Sequence, residues 1–119
     1  NPKKVTNNFI DNYIKLKKSK KTIFFNDYFK DFLSINQFTE IFYNIIKKKI
    51  TGTFNVSLGE KVYISEILNW LNKTNYNLFK PKNNFIDNDS FYLNNEKLLN
   101  KIKVKVKKSD LKKYCKDFR

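Results

Sequence analysis

The chain has no histidine, methionine or alanine, and holds one cysteine, one arginine, two glycines and two prolines in 119 residues. Without histidine, neither a Ser-His-Asp nor a Cys-His arrangement can be assembled. A histidine zinc site is excluded for the same reason, and Cys115 alone cannot make a thiolate cluster or a disulfide framework. Gly52 and Gly59 are too few and too isolated for a Gly-rich phosphate turn of either common type. Apolar runs reach only a few residues, against the roughly 20 needed to span a bilayer, so no membrane partner is expected. A lone thiol fits a reducing compartment, and a cytoplasmic location is the expectation.

What is present is basic and aromatic. Lysine and arginine number 25 against 11 acidic residues, a formal net charge of +14, and 17% of the chain is aromatic. This is too apolar for a disordered chain, and the length suits one domain or part of one. The favoured residues, 24 Lys, 18 Asn, 12 Ile and 12 Phe, share AT-rich codons, so base bias accounts for much of the lysine without any partner. The absence of methionine, an initiator included, leads to the expectation of an internal or C-terminal piece of a longer protein, residues 1–119 forming one segment.

Hydrophobic spacing predicts alternating helices and short strands. Residues 3–18 place Val5, Phe9 and Tyr13 on one helical stripe. Thr22 to Phe25 reads as a strand entering a turn, and Asp31 to Ile35 as a second extended piece. Asn36 is read as the cap of a helix whose core stripe is Phe38, Ile41, Phe42 and Ile45, with Lys47, Lys48 and Lys49 at the negative end of its dipole. Thr53–Val56 reads as a buried strand and Val62–Ile64 as extended. Ile64, Ile67, Leu68 and Leu71 form another helical stripe. Residues 74–90 read as a long surface connection and Phe91–Leu93 as a strand. Asn94 would cap a short helix through Leu99. Residues 101–106 alternate Lys with Ile102, Val104 and Val106 as a half-buried strand does. Ser109 would cap a last helix carrying Leu111, Tyr114, Cys115 and Phe118. Asp27 and Asp31 are read as turn and capping groups rather than catalytic acids.

The order of "TIFFND", "KDFLSINQFTEIF", "GTFNVSLGEKVYISEIL" and "FYLNNEKL" resembles the C-terminal, substrate-binding part of the extended short-chain dehydrogenase/reductases, the NAD-dependent epimerase/dehydratase family that acts on nucleotide-sugars. The resemblance spans about residues 2–100. It implies an α/β fold, the C-terminal portion of a Rossmann-type enzyme with helices alternating with short strands. NAD or NADP would be held by an N-terminal Rossmann part outside this segment, where a Tyr-x-x-x-Lys pair would carry epimerase, dehydratase or reductase chemistry.

Carried over residue by residue, the resemblance places Lys30 where the family's R-D-[FY] arginine reaches the substrate diphosphate. Lysine keeps the charge and loses the two-pronged fork. Asn55 matches the Asn of Y-N-[IVL]-G, whose amide can donate to phosphate or accept from a hydroxyl. Phe25 takes the aromatic place near the nucleotide, and Lys4 and Val5 open a segment that packs against it. Asn26 and Asn36 depart from the family's Gly and Asp, and no later arginine precedes Arg119. Tyr13/Lys17, Tyr43/Lys47 and Tyr76/Lys80 have the catalytic spacing without an upstream Gly-rich turn and are set aside. The implied partners are a nucleotide-sugar and the chain's own N-terminal Rossmann domain, with a possible homodimer. A basic nucleic-acid-binding module is the alternative reading, although no recognition motif supports nucleic acid as the partner. A structural or assembly domain without ligand is a third.

Overall fold

The computed structural model describes residues 23–73, 79–81 and 90–118. Among these it is a small mixed α/β protein with four helices and a few short strands, in the order β1 (Ile23–Phe25), β2 (Phe29–Lys30), α1 (Ile35–Lys47), β3 (Val62–Tyr63), α2 (Ile64–Leu71), β4 (Phe79–Pro81), α3 (Glu96–Ile102) and α4 (Lys108–Asp117). Strand β1 pairs in parallel with β4, Phe24 opposite Lys80. Strand β2 pairs antiparallel with β3, Phe29 opposite Tyr63 and Lys30 opposite Val62. The first helix expected from the sequence, over residues 3–18, lies outside the described residues, as does most of the 74–90 connection.

Two apolar clusters hold these elements. One joins Leu58, Val62, Ile64, Ile67, Leu68 and Leu71 to Leu111 and Cys115, so that α2 packs on α4. The other joins Ile41 of α1 to Leu98 and Ile102 of α3. Leu33 and Val106 touch both clusters and tie them together. Burial of Cys115 in the first cluster pushes its thiol pKa up, which keeps it protonated and inert.

Helix α1 starts two residues earlier than its expected cap allows. Ser34, not Asn36, is the N-cap: its hydroxyl accepts the Gln37 N–H at 3.1 Å, and the Gln37 side-chain oxygen accepts the Ser34 N–H at 3.1 Å. This is a capping box, written in the sequence as S-x-x-Q. The Gln37 amide also donates to the Lys107 carbonyl at 3.0 Å, fixing α1 to the approach of α4. Ser34→Ala is therefore expected to lower stability by about 1 kcal/mol, and Ser34→Asp to retain most of it, by urea denaturation. An alanine variant as stable as the parent would remove the cap from the account.

The same helix ends in a Schellman motif. The Ile50 N–H returns to the Ile45 carbonyl at 3.0 Å and the Lys49 N–H to that of Ile46 at 3.1 Å, with Lys49 in the left-handed region at φ 51°. Lys48 does more than complement its own helix dipole: its ammonium donates to the Ile102 carbonyl at the end of α3.

Other expectations are corrected as well, among them the connection over 74–90, which contains β4, and the Asn94 cap, which is Asn95. Thr53–Val56 is not a strand: Thr53, Asn55 and Val56 are exposed, and the segment's bonds to its neighbour run through side chains. Phe91–Leu93 is likewise exposed and unladdered. Residues 101–106 complete α3, turn at Lys103 in the left-handed region with φ 58°, and run on without forming a strand. The Lys/Val alternation is kept in burial alone, with Ile102 buried and Val104 and Val106 half-buried beneath exposed lysines. Helix α4 opens at Lys108 behind Lys107, ahead of Ser109. No helix among the described residues is long and apolar enough to cross a membrane.

Candidate functional site

The two carboxylates that bracket β2 hold it in place. Asp27 accepts the N–H of Tyr28 at 3.0 Å and, from the first turn of α2, the N–H and hydroxyl of Ser65 at 3.1 and 2.6 Å. It thereby satisfies donors that a helix N-terminus leaves open. Asp31 accepts three backbone N–H groups, from Leu58 at 2.7 Å, Gly59 at 3.1 Å and Leu93 at 3.2 Å. Asp27 acts as the turn and capping group expected from its residue type, whereas Asp31 joins two distant loops.

The bonds of Asp31 draw two distant stretches to β2, and those stretches are also joined to each other. The Asn55 amide donates to the Asn94 carbonyl at 3.0 Å, the Ser57 hydroxyl to that of Leu93 at 3.1 Å, and the Asn95 amide to that of Ser57 at 2.8 Å. Asn95 is buried, and its side chain fills the space above Gly59. The Phe29 N–H reaches the Ser90 hydroxyl at 3.4 Å, so the 90–95 stretch runs alongside both β2 and the 55–59 loop.

On this frame Lys30 is half-buried, its ammonium 5.6 Å from the centre of the Tyr28 ring and 5.5 Å from that of Phe91. On the alternate face of the strand, Phe29 and Tyr63 meet edge to face at 5.6 Å, with the Lys61 ammonium 4.8 Å from the Phe29 ring centre. Phe91, Tyr92 and Leu93 remain 51, 46 and 40% exposed. Each lysine ammonium thus lies over aromatic rings, Lys30 with Tyr28 and Phe91 and Lys61 with Phe29, and because neighbours on a strand alternate in face these are two separate surfaces. Such a surface can hold an anion through charge-assisted hydrogen bonds while a planar group stacks on a ring.

Of the residues singled out from the sequence, Lys30 and Asn55 both border the 90–95 stretch, Lys30 through the Phe91 ring and Asn55 through the Asn94 carbonyl. Phe25 is half-buried and packs against the first core cluster. Lys4 and Val5 lie outside the described residues. Tyr28, Phe29, Lys61, Tyr63 and Phe91 were not singled out from the sequence. Tyr28 had a readable signal, because residues two apart on an extended chain share a face with each other. Phe91 had none, standing 61 positions from Lys30.

No other feature among the described residues assembles a reaction centre. Tyr43 and Lys47 meet only as a ring and an ammonium 5.8 Å apart, on the exposed surface of α1. A cleft of about 300 Å³ between α1 and α4 is lined by Glu40, Asp110 and Asp117 with Lys105 and Lys113. No group of His, Cys, Asp and Glu among the described residues is placed to hold a metal ion. Comparison of the chain with protein-family models, curated proteins and solved structures finds no match.

Proposed function

We propose that this chain is the nucleotide-sugar-binding portion of an NAD(P)-dependent epimerase, dehydratase or reductase of the extended short-chain type, with the Rossmann part of the fold supplied outside this segment. One observation carries the reading. The 90–95 stretch touches two of the five residues that the resemblance assigns to the substrate, Lys30 and Asn55, while Asp31 between β2 and the loops clamps the arrangement.

In this reading the Lys30 ammonium holds the substrate diphosphate, and the Tyr28 and Phe91 rings beside it line the place of the nucleotide. The Asn55 side chain keeps its carbonyl oxygen available for a sugar hydroxyl while its amide is tied to Asn94. The described residues do not fit NAD or NADP. Gly59 is occupied above by Asn95, Gly52 stands alone, and no Gly-rich turn opens a helix. The proposed division of labour is thus substrate grip here and hydride chemistry elsewhere.

Lys30→Ala in the complete enzyme is expected to raise the KM for the nucleotide-sugar by about tenfold with kcat within about twofold, as loss of a charge-assisted contact made equally before and during reaction should. Lys30→Arg should restore the affinity. Steady-state kinetics that show an unchanged KM in the alanine variant remove Lys30 from the site.

A further inference from the structure

We infer that the groove between α3 and the stretch leading to α4 binds an extended acidic peptide, which adds itself as a strand along Val104–Val106. The groove has a volume of about 510 Å³ and shares no residue with the Lys30 surface. Leu99, Val104 and Val106 line it, half-buried and packed on the second core cluster. Lys103, Lys105 and Lys107 stand exposed around them. Among the described residues Glu96 is the only acid that lines it.

Three observations point to a ligand of this kind. The lysines of the groove are uncommitted. Lys48 donates to the Ile102 carbonyl, Lys97 donates to that of Thr53, and Lys108 pairs with Glu66. The ammoniums of Lys103, Lys105 and Lys107 meet no acceptor, carboxylate or ring among the described residues. The backbone is open as well: no N–H or C=O of Val104, Lys105 or Val106 takes part in a hydrogen bond there. The charge, finally, is local. Residues 90–118 carry nine lysines against three acidic residues, and residues 23–73 six against five. Base bias alone would spread lysine evenly, yet the excess gathers in the segment that builds the groove.

An extended peptide answers all three. Its backbone supplies partners for the open N–H and C=O groups, the source of affinity when a strand is added to an edge. Paired strands keep opposite side chains on one face. Peptide residues opposite Val104 and Val106 therefore meet the apolar floor, and those opposite Lys103, Lys105 and Lys107 meet the ammoniums. The pattern calls for alternating aliphatic and acidic side chains. A second copy would bring lysines to the same places and be repelled, as edge lysines generally ensure. No aromatic ring among the described residues lines the groove, so nucleic-acid bases find nothing to stack on. Its apolar side chains lie below the exposed lysines, the reverse of what insertion into a bilayer needs.

The test is fluorescence anisotropy of a labelled synthetic peptide of alternating Val and Glu, titrated with the full chain. Saturable binding is expected, and none for a peptide of alternating Val and Lys. Methylating every peptide nitrogen keeps the charge and the side chains while removing each N–H, and is expected to weaken binding at least about tenfold. A triple variant, Lys103→Gln, Lys105→Gln and Lys107→Gln, should lose as much. The same loss of charge on α4, through Lys112→Gln, Lys113→Gln and Lys116→Gln, should stay within about twofold of the parent. Absence of saturable binding overturns the inference. So does a methylated peptide that binds as well as its parent, or an equal loss in the two triple variants, because either would mean attraction by net charge alone. Tighter binding of polyuridylate or of phosphatidylglycerol vesicles through the same three lysines also overturns it and assigns the groove to nucleic acid or to a bilayer.

Discussion

Asp31→Ala is expected to lower the stability of the chain by about 3 kcal/mol. Its half-buried carboxylate takes the N–H groups of Leu58, Gly59 and Leu93, which belong to two loops with no strand ladder between them. Alanine leaves all three donors without this acceptor, and any water that replaces it must enter between packed segments. Asp31→Asn keeps one carbonyl oxygen against two carboxylate oxygens, so the loss should be roughly half as large. Urea unfolding reads this directly, as a fall in midpoint of about 2 M for alanine at unchanged slope. A shift under about 0.5 M would show that the loops hold together without the carboxylate. Because the same bonds position Lys30 and the 90–95 stretch, the asparagine variant should also weaken substrate binding in the complete enzyme.

Gly59→Ala is expected to cost about 2–4 kcal/mol through two separate strains. Gly59 sits at φ +78°, where a side chain is disfavoured, and a Cβ there would lie 2.7 Å from Asn95 Oδ1 and 2.8 Å from its Cγ. Asn95 cannot step aside cheaply, since it is buried and its amide donates to the Ser57 carbonyl at 2.8 Å. The two strains are separable by a double-mutant cycle. In an Asn95→Ala background the steric part disappears and only the backbone part remains, so the pair should be at least about 1 kcal/mol more stable than the sum of the single losses. Additivity within about 0.3 kcal/mol would mean that the Asn95 side chain does not press on this position.

The elements most legible in the sequence are those whose spacing carries their burial. Ile64, Ile67, Leu68 and Leu71 are all buried at the spacing that marked α2 as a helix, and Leu111 and Cys115 do the same for α4. Asp27 behaves as its residue type implies, because a short carboxylate at a turn finds a nearby backbone N–H group, here that of Tyr28. Helix α1 was legible as a helix and misleading as a core element. Phe38 and Phe42 belong to the same apolar arc as Ile41, yet they face outward, since periodicity shows where apolar residues lie without showing which of them find a neighbour.

The short apolar runs at 53–56 and 91–93 failed for a different reason. A strand needs a partner ladder, and here Asn55, Ser57 and Asn95 side chains join the two stretches in place of backbone pairs. Nothing in a run of three or four residues distinguishes those outcomes.

By itself, then, the sequence determined which residue types were missing and where the apolar stripes of α1, α2 and α4 fall, because both depend on composition and on neighbours within one or two turns. The caps, by contrast, fell at Ser34 and Lys107 rather than at Asn36 and Ser109. Tertiary structure alone decided that Phe91 comes to the Lys30 ammonium, that Asp31 clamps residues 27 and 62 positions away, and that one side of α1 is left uncovered. Those outcomes turn on which segments meet across long stretches of chain, and contact of that kind leaves no period in the sequence that specifies it.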